Sequence, residues 1–105
     1  MKLPFLLALG AALVLAGAEA RAGDVQAGEA RYKVNCVNCH GKQGQGMASF
    51  PSIAGRDSAY IAERLRSYRA REKVGPNSAL MMSLTQDLTD AEIANLAAYI
   101  STTFE

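Results

Sequence analysis

Cys36, Cys39 and His40 are the residues of this 105-residue chain whose types and spacing could do chemistry, in the run Cys36-Val37-Asn38-Cys39-His40. The pattern C-x-x-C-H is that of a covalent haem attachment site. Residues three apart on a helical turn share a face, so Cys36 and Cys39 present two sulfurs to one edge of a flat macrocycle. Each sulfur can form a thioether with a haem vinyl group. His40 follows directly, and its imidazole can turn under the ring to reach the iron.

Other uses of the same residues fit less well. A disulfide at this spacing would close a very small, strained loop. A thioredoxin-like redox pair needs a strand–helix–strand context, and no strand pattern precedes Cys36. Zinc needs a fourth ligand, and the chain has two cysteines and one histidine in all.

Iron bound by His40 needs a sixth ligand, or it stays open for chemistry. His40 is the sole histidine, which excludes a two-histidine iron. Met47 lies seven residues after His40 on the same loop and is poorly placed to cross to the other ring face. Met81 and Met82 remain. Met81, Leu84 and Leu88 share a face at i, i+3 and i+7, so Met81 is the expected axial ligand and Met82 the fallback. Packing alone is the ordinary role of a methionine, but here a coordination shell has to be closed. The Nδ1–H of His40 needs an acceptor that fixes the tautomer. The Pro51 carbonyl is the candidate, against the commoner role of a plain turn proline.

The elements that must position these groups read as helices. Asp24 can N-cap a first helix to about Val34, with Val25, Gly28, Tyr32 and Cys36 at helical spacing. Gly28 is a poor interior helix residue unless another backbone comes close. Gly41, Gly44 and Gly46 then loosen the chain into what reads as a flexible turn passing a flat ligand; a phosphate loop would need a preceding strand and a Gly-Lys-Ser/Thr ending. A second helix is expected from Ser58 to Lys73, stopped by Gly75-Pro76, with Ile61, Leu65 and Tyr68 as its buried stripe. Arg64, Arg66, Arg69, Arg71 and Lys73 make it the basic segment. Such a run is usually a solvated face, unless one or two of its charges meet haem propionates or steer an acidic partner. Thr89-Asp90-Ala91-Glu92 is a capping box for a last helix to about Thr103. Its stripe is Ile93, Leu96, Ala97, Ile100 and Phe104, with Tyr99 at the margin and Glu92, Asn95 and Ser101 facing out. No strand pattern appears, so the fold class is all-α.

The N-terminus sets the expected compartment. Lys2 precedes an uncharged stretch from Leu3 to Ala18, 16 residues long, shorter than the roughly 20 that a membrane span needs. Two A-x-A sites follow, and cleavage after Ala22 is favoured over retention as an anchor. A signal peptide at 1–22 leaves 83 residues, one small domain at 23–105. Without Lys2, Arg21 and Glu19 that domain has nine basic and nine acidic residues, a net charge of zero. Nucleic-acid binding is not expected of it, nor is a membrane span after cleavage. A domain this small is near the limit of what one apolar core stabilises, and a covalent macrocycle would add core surface.

Helix, C-x-x-C-H, proline loop, basic helix, methionine segment and amphipathic closing helix together resemble class I cytochrome c over essentially the whole of 23–105. Phe50-Pro51-Ser52-Ile53-Ala54-Gly55 and the run Leu88 to Ile100 are similar to the small bacterial cytochromes c553 and to one half of the dihaem cytochromes c4. The resemblance implies three to four helices wrapped around one covalent haem c, with the first and last helices crossing at Gly28 and Tyr32 against Leu96 and Tyr99. It also places the proline carbonyl at Pro51 and the methionine ligand at Met81. Arg64-Leu65 and Arg71-Glu72-Lys73 depart from the family's frequent Gln-Leu and Gly-Lys/Arg, so the resemblance does not say which basic group meets the propionates.

The expected function is a periplasmic one-electron carrier rather than an enzyme, its iron closed by His40 and Met81 and its partners other redox proteins. The alternative is a fixed haem subunit of a flavocytochrome c of the sulfide dehydrogenase kind, taking electrons from a flavoprotein. A ligand-sensing or catalytic haem would require Met81 to stay off the iron.

Overall fold

A computed structural model describes residues 23–105. The proposed signal peptide at 1–22 lies outside the described residues. Five helices follow in order: α1 Val25–Asn35, α2 Val37–His40, α3 Ser58–Arg69, α4 Ser78–Thr85 and α5 Asp90–Thr103. Among the described residues there is no strand, only an isolated bridge between Met47 and Phe50. The count exceeds the expected three to four because the attachment motif and the methionine segment are each helical.

Helix α1 starts where the sequence places it. The Asp24 carboxylate accepts from the backbone N–H of Gln26 at 2.9 Å and of Ala27 at 3.1 Å, satisfying donors that a helix start leaves without partners. The N–H of Asp24 in turn donates to the Asn95 side chain at 2.8 Å. Asn95 therefore does not face out as expected; it ties the start of α1 to α5. The two helices cross at Gly28, where a Cβ would overlap the carbonyl of Asn95 and meet the Cβ of Tyr99. Beyond the crossing Tyr32, Tyr99 and Phe104 stack with ring centroids 5.2 to 5.5 Å apart, within the range of favourable tilted aromatic pairs. Tyr99, expected at the margin of its stripe, is buried.

Helix α5 carries the capping box. Glu92 N–H donates to the Thr89 hydroxyl at 3.1 Å, and Thr89 N–H to the Glu92 carboxylate at 2.9 Å. The other Glu92 oxygen accepts from Arg31 at 3.0 Å, so Glu92 joins α5 to α1 rather than pointing into water. Ile93, Leu96, Ala97, Ile100 and Phe104 form the core with Ile61 and Leu65 of α3 and with Leu88.

Helix α3 ends four residues earlier than expected, at Arg69. Arg71 takes a left-handed φ of 65°, and the N–H groups of Arg71 and Glu72 fold back to the carbonyls of Tyr68 and Ser67. Such a reversal closes a helix end from within, so Gly75-Pro76 is not what stops it. Arg69, in the last turn, donates to the Leu88 carbonyl at 3.0 Å and to Asp90 at 2.7 Å. Its position is fixed by the start of α5.

Candidate functional site

The attachment motif begins where α1 stops. Cys36 caps both helices at φ −116° and ψ −31°, in the right-handed region, and its N–H donates to the Tyr32 carbonyl. Its own carbonyl then accepts from His40 N–H at 3.0 Å. The Cys36 carbonyl thus keeps Cys36, Cys39 and His40 within one helical turn. Cys36 and Cys39 are free, half-buried thiols. Burial pushes the Cys36 thiol up to about 11, with Cys39 adding to the rise and Arg31 opposing it.

His40 is buried, and its Nδ1 lies 2.8 Å from the Pro51 carbonyl oxygen. A carbonyl only accepts, so Nδ1 carries the proton and Nε2 keeps its lone pair for a metal. The chain reaches Pro51 through the glycine turn, which is not the flexible passage expected. Gly46 N–H donates to the His40 carbonyl at 2.7 Å and Ile53 N–H to the Gly44 carbonyl at 2.8 Å. Gly41, Gly44 and Gly46 all have positive φ, a backbone that side chains rarely adopt. The turn lies outside the cavity described next; Gly44 abuts Phe104 instead.

Cys36, Cys39, His40 and Pro51 line a cavity of about 380 Å³, within the roughly 300–1,000 Å³ of cofactor pockets. From the other elements Ile61 and Leu65 of α3, Met81 of α4, and Leu96 and Ile100 of α5 complete a mostly apolar lining. Met82 and Met47 do not line it, and Met47 is exposed on its loop. Met81 also packs against the core. Thr85 holds its helical turn, donating to the Met81 carbonyl at 2.8 Å, with the Met82 carbonyl at 3.2 Å. Ser78 anchors the start of α4 by accepting from the N–H groups of Val74 and Gly75 at 2.8 and 2.7 Å.

Two features of the site were not singled out from the sequence. Tyr32 donates to the Gly41 carbonyl at 2.6 Å, pinning the residue after His40. Arg56, before the start of α3, and Tyr60 join Arg64 on the cavity lining; their spacing of four was visible, but nothing said that these residues meet the cavity.

Two thiols, an imidazole nitrogen with a free lone pair and a thioether gather around one apolar space, and this donor set fits a covalently held iron porphyrin. Among the described residues no helix is long and apolar enough to cross a membrane.

Comparison with known proteins agrees with this chemistry. The family model for cytochrome c matches residues 25–104. The chain is 42% identical to cytochrome c-554(548) of Halomonas halodenitrificans over 81 residues, covering 76% of this chain and 96% of that one. It is 36% identical to cytochrome c-554(547) of Halothiobacillus neapolitanus over 89 residues, covering 77% and 98%. A solved structure of cytochrome c4 from Acidithiobacillus ferrooxidans superposes with a TM-score of 0.61 at 29% identity, covering 76% of this chain and 51% of that one. The chain thus spans about half the length of that cytochrome c4. A match that runs from Val25 to Phe104, through every residue of the cavity, leaves one reading: this chain belongs to the cytochrome c family, carries haem c and serves in electron transfer.

Proposed function

We propose that the chain is a periplasmic monohaem carrier whose haem is bonded to the sulfurs of Cys36 and Cys39 and ligated by His40 and Met81. The observation that carries this reading is the meeting of those four side chains on one apolar cavity that Met82 and Met47 do not line. Bound haem supplies a one-electron ferric/ferrous couple. The protein's residues set its terms. Pro51 holds the His40 tautomer and strengthens its basicity. The Met81 thioether favours the reduced iron and raises the potential relative to a second imidazole. Ile61, Leu65, Leu96 and Ile100 keep water from the site, and low polarity disfavours the extra ferric charge. With His40 and Met81 both holding the iron, no position would be left on it for a substrate. The uncharged stretch from Leu3 to Ala18 and the A-x-A sites after it support export. The partners are redox proteins that meet the chain by brief docking.

The test is the full chain matured in a host with a working haem-attachment system. Expected are one covalent haem per chain, an absorption band from methionine–iron charge transfer, and reversible one-electron reduction without carbon monoxide binding at neutral pH. Carbon monoxide binding to the reduced protein would instead mean an open site. Co-purification from the native host with a flavoprotein would mean a fixed subunit.

A further inference from the structure

The basic residues of α3 and its flanks divide into three groups. Arg69 is occupied by Leu88 and Asp90. Arg66, Arg71 and Lys73 are exposed and lie off the cavity. Arg56, itself exposed, and half-buried Arg64 line it. Arg56, just before the Asp57 cap, and Arg64, one turn into α3 from Tyr60, both sit over the Tyr60 ring, with guanidinium carbons 4.7 and 5.1 Å from its centre. Among the described residues neither arginine forms an ion pair. The cavity lining holds no aspartate or glutamate at all.

Two like charges beside one mostly apolar space repel each other, and the repulsion grows as water leaves. The Tyr60 ring offsets part of it. The cavity lining itself offers neither guanidinium a carboxylate. A haem brings two carboxylates on one edge of an otherwise apolar disc, which suits a mostly apolar cavity whose two permanent charges are both guanidinium groups. Guanidinium forks suit carboxylates in particular.

We propose that Arg56 and Arg64, with the Tyr60 hydroxyl between them in sequence, hold the haem carboxylates and so fix which edge of the ring faces α3. This rests on the reading that haem occupies the cavity. Positive charge on the lining would oppose the additional charge of the ferric state of a haem held there and favour the ferrous one.

The test uses the haem-loaded full chain with Arg56→Gln, Arg64→Gln, the double variant, Arg64→Lys, and Arg66→Gln as an off-cavity control on the same helix. Three quantities are read: covalent haem per chain from the spectrum of the denatured protein, the equilibrium midpoint potential, and the salt dependence of electron transfer to an acidic redox protein. Haem content should stay that of the parent. Each single Gln variant should shift the ferric-to-ferrous ratio about threefold or more toward ferric, the double variant further. Arg64→Lys should recover most of the shift, and Arg66→Gln should leave the potential unmoved. A double variant with the parent's potential overturns the proposal; if its electron transfer has lost its salt dependence, the pair serves docking instead. An equal shift from Arg66→Gln also overturns it, since the effect would then be one of general charge. A parent chain that takes up no haem overturns the underlying reading and this one with it.

Discussion

The Tyr32 hydroxyl donates a 2.6 Å hydrogen bond to the carbonyl of Gly41, nine residues on. Tyr32 belongs to α1 and Gly41 closes α2, so one bond clamps the attachment motif between the crossing helices and the residue next to His40. Both groups are buried, and burial raises the phenol well above its ordinary value, so the hydroxyl keeps its proton throughout the physiological range. Tyr32→Phe keeps the ring contacts with Tyr99 and Phe104 but leaves a buried carbonyl without its donor. It should cost about 1–3 kcal/mol, read as a lower denaturant midpoint with an unchanged slope. A variant as stable as the parent would show that water or another donor replaces the hydroxyl.

Gly28→Ala should be among the most disruptive single-methyl additions in the chain. The new Cβ would overlap the Asn95 carbonyl and press on the Cβ of Tyr99. Ala normally stabilises a helix interior relative to Gly by up to about 1 kcal/mol, so the sign of the effect separates the two influences. Overpacking of this kind costs about 1–3 kcal/mol, and a fall in melting temperature is expected. A rise would mean that α1 and α5 shift apart at little cost.

Met81 and Met82 are neighbours in sequence, yet only Met81 lines the cavity. Met81→Ala should abolish the methionine–iron charge-transfer band and lower the midpoint potential. Met82→Ala should leave both as they are. Absorption spectra of the two oxidised variants decide it, and the opposite pattern would assign the iron to Met82.

Thr89→Ala removes one half of a reciprocal pair, since Thr89 caps Glu92 N–H and Glu92 caps Thr89 N–H. Loss of such a cap costs about 1 kcal/mol. The released Glu92 is still held by Arg31 at 3.0 Å, so the loss should appear in thermal unfolding while the spectrum of the haem stays that of the parent. A changed spectrum would mean that the start of α5 is coupled to the site.

Local patterns were enough for much of this molecule. C-x-x-C-H, the Asp24 cap and the Thr89–Glu92 box work through neighbours within four residues, and the structure forms each cap as written. Glycine at position 28 pointed to a close approach, since glycine is a poor helix-interior residue, and the structure brings the Asn95 carbonyl there. Other features depend on distant partners. Helix α3 was expected to run to Lys73, but Arg69 is claimed by Leu88 and Asp90, and the chain reverses at Arg71. Asn95 and Glu92 have outward positions on a helical wheel, yet Asp24 and Arg31 of α1 reach them.

The sequence by itself determined the attachment chemistry, the helical class and the position of the caps, because each rests on the spacing of residues along a few turns. Only the tertiary structure decided which basic residues meet the cavity and that the glycine turn is hydrogen-bonded away from it. It also separated Met81 from Met82 at the lining. Those outcomes depend on how helices far apart in the chain pack and which of their faces are covered. A helical period gives the faces of one element, and only the packed neighbours choose among them.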